Sequence, residues 1–181
     1  MKTESTVKFV LRLALTLLAI TSVVAVCLAG VNMITAPAIA ELNAKNTQAA
    51  IEAVLPGGGE EVDFPETALV SKVYASDSGY AVEVTPGGFD NTITMMVGVD
   101  KSGNILGIDV VSHTETAGLG AVADAETPAG IAFREQFVGQ SGSVSVSKDG
   151  GQIDSITGAT ITSRAICAGI NAALEVAAKM G

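Results

Sequence analysis

Residues Leu13–Val31 read LALTLLAITSVVAVCLAGV, and this stretch decides the architecture. No charged residue occurs from Leu13 to Ala40. An uncharged aliphatic run of this length covers the hydrocarbon core of a bilayer as one helix. Before it lie Lys2, Lys8 and Arg12 against one acid, Glu4, and the next charge after it is Glu41. The positive-inside bias predicts a single-pass protein of the cell membrane, with its N-terminus in the cytoplasm and its C-terminal part outside. A cleaved leader is the alternative, since Ala38-Ile39-Ala40 has the small residues of a cleavage site. The apolar run is longer than a leader's usual core and the site lies far from its centre, which favours a retained anchor. Cys27 follows Val26, where a lipoprotein box carries a small residue.

The chain has 181 residues, mean hydropathy +0.46, 4% aromatics and no Trp. Beyond the anchor, residues 41–181 carry seven bases and eighteen acids, a net of −11. So acidic a domain excludes nucleic acid as a partner, because phosphate backbones are bound by clustered Lys and Arg. Cys27 falls in the anchor and Cys167 in a C-terminal helix, so no disulfide is expected. His113 is the single histidine, and no Cys/His cluster has metal-ligand spacing. Neither a metal site nor a catalytic acid/base or nucleophilic constellation is expected.

Four segments follow: 1–12 in the cytoplasm, 13–36 across the membrane, 37–59 a juxtamembrane helix and linker, and 60–181 one outer domain. Residues 41–54 are helix formers, ended by Leu55-Pro56-Gly57-Gly58-Gly59. Residues 68–75 and 79–86 predict strands around the turn at 76–78. Residues 92–99 and 105–111 predict a hairpin around Asp100–Asn104. A loop is expected at Thr114–Gly120, a short helix at 129–138 and an exposed strand at 143–147. Residues 163–180 carry Ile166, Ile170, Ala173, Leu174 and Ala177 at helical spacing, a terminal helix with one buried stripe. The fold class is α+β, with a mainly antiparallel sheet.

The stretch entering that helix, Asp154-Ser155-Ile156-Thr157-Gly158-Ala159-Thr160-Ile161-Thr162-Ser163, offers hydroxyls beside residues without bulk. Helix N-termini present unpaired N–H groups and a positive dipole end, which favour a phosphate. The same residue types also serve as helix caps and turn formers. No Lys follows the glycine where a Walker loop has one.

Asp154–Thr160 resembles the D-x-x-[ST]-G-A-T flavinylation motif of FMN-binding domains. Ser112-His113-Thr114-Glu115-Thr116-Ala117-Gly118-Leu119-Gly120 resembles the S-H-x-E-T-P-G-L-G loop in the G subunit of Rnf-type electron-transport complexes, with Ala117 in place of proline. A related loop occurs in the C subunit of the sodium-translocating NADH:quinone oxidoreductase. The resemblance extends over essentially the whole chain, and the short length favours the Rnf-type family.

The resemblance implies a membrane-anchored electron-carrier subunit of an ion-translocating ferredoxin:NAD oxidoreductase complex, with FMN joined to Thr160 by a phosphoester. It implies attachment by a flavin transferase that uses FAD and a divalent metal. Thr157, Gly158 and Ala159 would line the phosphate and ribityl path. Asp154 would hold the turn or be read by the transferase. Glu115, Thr116, Leu119 and Gly120 would lie against the flavin ring. His113 is expected to orient the loop; Tyr80 and Phe89, near Gly79 and Gly87-Gly88, could flank the ring, with core packing the favoured reading for Phe89. Partners would be the other membrane and redox subunits and the lipid itself, with Ala25, Ala29 and Gly30 permitting close helix approach. The alternatives are a non-redox assembly module and a stand-alone flavinylated reductase outside the cytoplasm.

Overall fold

A computed structural model describes the backbone of residues 2–181 and the side chains from residue 7 onward. The chain divides into two compact units, one ending at Lys45 and the other Asn46–Gly181. A helix, α1, spans Lys2–Val54 and carries Pro37 in its interior. Its apolar window has a mean hydropathy of 2.4 and none of it is buried. Val7, Leu17, Val26 and Ile34, each 63% exposed or more, show how fully its aliphatic side chains face outward. Such a surface is unfavourable in water and natural in lipid. Thr16, Thr21 and Thr35 donate their hydroxyls to carbonyls three or four residues earlier, so these three O–H groups are bonded within the helix itself.

The second unit contains a five-stranded antiparallel sheet in the order β1-β2-β3-β4-β5. The strands are β1 (Glu60–Val62), β2 (Val70–Ala75), β3 (Gly79–Val84), β4 (Thr94–Asp100) and β5 (Ile105–Ser112). The β4–β5 turn forms because Asp100 accepts from the N–H groups of Ser102 and Asn104 and from the Asn104 amide, while Gly103 takes a left-handed φ of 81°. Helices α2 (Pro128–Glu135) and α3 (Thr160–Met180) follow.

The larger core lies under α2 and α3. Val82, Val84, Met95 and Val97 meet Ile166, Ile170 and Ala173 from the predicted stripe of α3. Phe133 and Phe137 pack edge to face there, 5.3 Å between centroids. A second cluster joins Tyr74, Ala81 and Met96 of the sheet to Ala50, Ile51, Val54 and Leu55. Gly98 permits that contact, because a Cβ there would run into the Val54 carbonyl.

Strands β2 to β5, with their hairpin, and the terminal helix fall where the sequence predicts them, while β1 is not predicted. Residues 143–147 do not form an exposed strand. Val144 and Val146 are buried in the core, and the Asn171 side chain binds both N–H and carbonyl of Val144 at 2.8 and 2.9 Å. A side chain of α3 thus holds Val144, while Val146 forms only an isolated parallel bridge with Ile153.

Candidate functional site

The cleft that matters lies at the start of α3. It has a volume of about 270 Å³ and is walled by three segments far apart in sequence. Phe89 comes from the β3–β4 loop; Glu115, Thr116, Leu119 and Gly120 come from the loop after β5; Gly158, Ala159, Thr160, Ile161 and Thr162 come from the entry to α3. Lys148 completes it from the turn Ser147–Asp149.

Glu115 ties these segments together. It is 8% exposed. Its Oε1 accepts from the N–H of Phe89 at 2.8 Å and of Asp90 at 3.3 Å, and its Oε2 accepts from the Thr162 hydroxyl at 2.5 Å. A buried carboxylate is tolerated only with such donors around it. Gly88 and Gly120 leave the room: a Cβ on either would collide with a Glu115 carboxylate oxygen. His113 sets the loop, its Nδ1 accepting from the Glu115 N–H at 3.2 Å while its Nε2 lies 3.6 Å from Asp124. Arg134 of α2 donates to the Ala123 and Ala125 carbonyls and fixes the turn Gly120–Ala123 beyond it.

The hydroxyls of the entry segment do not cap α3. The N-cap position is Ala159, without a side-chain hydrogen bond. Thr162 is committed to Glu115. Ser163 is buried, donating to the Ala159 carbonyl and accepting from the Ile156 N–H. Thr160 is the hydroxyl left to the cleft, and its Oγ accepts from Lys148 Nζ at 2.8 Å. The first turn of α3 therefore presents N–H groups that no side chain has taken.

Three residues expected at the site lie elsewhere. Asp154 and Thr157 border a neighbouring hollow with Gln136 and Phe133. The Gln136 side chain holds the Asp154 backbone there, accepting from its N–H at 2.7 Å and donating to its carbonyl at 3.2 Å. Tyr80 donates its hydroxyl to the Met180 carbonyl, at the opposite end of α3. Phe89 is not core: it is 68% exposed at the cleft wall. Lys148 is not legible as a site residue from sequence, since it belongs to no motif and stands on a turn twelve residues before Thr160. Cys167 is sealed in the core, where burial pushes its thiol up to about 11.

The cleft suits a group with an anionic end and a flat apolar body. Its lining combines a hydroxyl, an ammonium and free helix N–H groups with the apolar side chains of Phe89, Leu119 and Ile161, all well exposed. Gly158, at φ 78°, keeps the floor open, since a Cβ would press on Leu119 at 3.0 Å. FMN has that make-up, and a family model described as FMN-binding domain matches residues 88–175. The G subunit of the Na⁺-translocating ferredoxin:NAD⁺ oxidoreductase complex of Acetobacterium woodii is 31% identical over 196 residues, covering 93% of this chain and 92% of that one. The chain belongs to this G-type family. The G subunit of the ion-translocating oxidoreductase complex of Pseudomonas aeruginosa is 34% identical over 118 residues, 63% of this chain and 55% of its own. The Vibrio vulnificus counterpart is 39% identical over 95 residues, 51% of this chain and 45% of its own. This chain thus aligns with about half the length of those two family members.

Proposed function

We propose that this chain is a membrane-anchored electron-carrier subunit of an Rnf-type ion-translocating ferredoxin:NAD oxidoreductase complex, with FMN joined to Thr160 by a phosphoester. The observation that carries the reading is the position of Thr160, the entry-segment hydroxyl that faces the cleft and accepts from a cation. Family membership supports the complex, and the matched FMN-binding domain supports the cofactor. When bound, the flavin supplies acceptance and donation of single electrons.

The chain's own residues hold and shape the site. The α3 N-terminus and Thr160 hold the phosphate end, and Gly158 and Ala159 leave the path along the chain free of bulk. Phe89, Leu119 and Ile161 cover the ring, with Thr116 at its rim. Glu115 fixes the walls and Gly120 gives it space. Asp154 and Thr157, outside the cleft, present a face for the flavin transferase. The apolar helix crosses the membrane once with its N-terminus in the cytoplasm, against lipid and the other subunits.

The test is the intact mass and visible spectrum of the chain purified from native membranes and freed of loose ligand. A mass increase equal to one phosphoester-linked FMN, with a flavin spectrum that dithionite bleaches and air restores, is expected. Thr160→Ala abolishes both. An unmodified native mass in cells that contain the transferase overturns the reading.

A further inference from the structure

We propose that Lys148 is the positioning residue for the phosphate at Thr160: its ammonium orients the acceptor hydroxyl before transfer and neutralises the phosphodiester afterwards. This rests on the reading that Thr160 carries FMN. Among the described residues lining the cleft Lys148 is the one cation, in a domain of net charge −11. Its Nζ donates to Thr160 Oγ at 2.8 Å.

The turn that carries it is fastened. The neighbouring Asp149 takes two hydrogen bonds from Arg164 in the first turns of α3, at 2.7 and 2.6 Å. Gly150 closes the turn in a left-handed conformation, φ 85°. Gly151 passes so close to Ser145 that a Cβ would collide with its carbonyl. The Ser147 N–H donates to the Ile153 carbonyl at 2.7 Å. Lys148 is therefore carried on backbone tied to the same helix that carries Thr160, which lowers the ordering cost that makes most exposed lysine contacts weak.

In the transfer, the Thr160 Oγ–P bond forms and the pyrophosphate P–O bond of flavin adenine dinucleotide breaks. AMP leaves, and the hydroxyl proton passes to a base of the transferase. A neutral hydroxyl thereby becomes the ester oxygen of a singly anionic phosphodiester. The ammonium already bonded to that oxygen is the group placed to meet the new charge, and charge-assisted bonds of this kind are the strong ones.

The experiment uses the full chain in detergent with the transferase, flavin adenine dinucleotide and Mg²⁺, following intact mass over time for wild type, Lys148→Met, Lys148→Arg and Lys148→Glu. Lys148 lies at the surface, so all variants are expected to fold, which circular dichroism checks. Lys148→Met slows modification about tenfold, a change of about 1.4 kcal/mol in barrier. Lys148→Glu slows it further, and Lys148→Arg stays within about threefold of wild type, having kept its charge. Once driven to full modification, Lys148→Met shows lower fluorescence anisotropy of the attached flavin than wild type, and Lys148→Arg does not. Modification of Lys148→Met at the wild-type rate, or unchanged anisotropy, overturns the role of Lys148 while leaving Thr160 as the attachment site. Failure of wild type to gain mass at Thr160 overturns the attachment reading itself, and the role of Lys148 with it.

Discussion

The two sides of Gly158 use the same residue types for different ends. On one side, Thr157 is exposed and Asp154 is fixed by its backbone to Gln136, both at a hollow apart from the cleft. On the other, Thr160, Thr162 and Ser163 sit at the start of one helix, and each hydroxyl has its own partners: Lys148 for Thr160, Glu115 for Thr162, and the Ala159 carbonyl and Ile156 N–H for Ser163. A hydroxyl's availability is therefore set by what already holds it. Thr162 and Ser163 are committed by burial and bonding, Thr157 lies outside the cleft, and Thr160 is the one of the four left facing it.

Glu115 is where this difference breaks most readily. Glu115→Ala leaves the Phe89 and Asp90 N–H groups and the Thr162 hydroxyl without their acceptor, and is expected to cost about 2–4 kcal/mol in urea unfolding. It also frees Thr162, so the two sides become more alike. Gly120→Ala pushes a methyl group against Glu115 and Thr162 from the other direction; about 1–3 kcal/mol is expected by the same measurement.

A smaller effect is carried by pH. Arg164 holds the Asp149 carboxyl below its ordinary value, chiefly by hydrogen bonding. A carboxylate whose value is depressed in the folded state contributes stability above its unfolded pKa of about 3.9, and that contribution is lost as pH falls through the folded value. The difference in melting temperature between wild type and Asp149→Asn is therefore present at pH 7, and disappears as the pH is taken well below about 4. Raising salt reduces it at pH 7, since the pair is exposed. The least effect belongs to Thr157→Ala. With its side chain in solvent, stability stays within about 0.5 kcal/mol of wild type in urea unfolding.

Much of this is legible in the sequence, for identifiable reasons. The uncharged run from Leu13 marks the apolar helix because charge is costly in lipid. The β4–β5 hairpin is readable from Asp100, Gly103 and Asn104, which supply the turn's own hydrogen bonds and its left-handed residue. The stripe on α3 shows as Ile166, Ile170 and Ala173. Strand β1 is not legible, because Glu60-Glu61-Val62 is short, acidic and without alternation. Residues 143–147 alternate like a strand, yet they make only an isolated bridge, Val146 to Ile153, and Val144 is held by the side chain of Asn171, which no local pattern announces. In the cleft, both motifs are visible, but not that Glu115 of one bonds Thr162 of the other, forty-seven residues on. For Phe89 the sequence leaves core packing and ring flanking both open, core being favoured by residue type, and only the fold of its loop brings it to the cleft wall. Lys148 reads as a surface charge, and only the packing of its turn against α3 brings it to Thr160.

The most direct measurement is fragmentation of the tryptic peptide that runs from Asp149 to Arg164, taken from the native protein, since it holds every hydroxyl in question. The expected result is a yellow peptide whose fragments place the whole FMN mass on Thr160. The same mass on Thr157, Thr162 or Ser163, or a peptide without flavin, contradicts the assignment of Thr160.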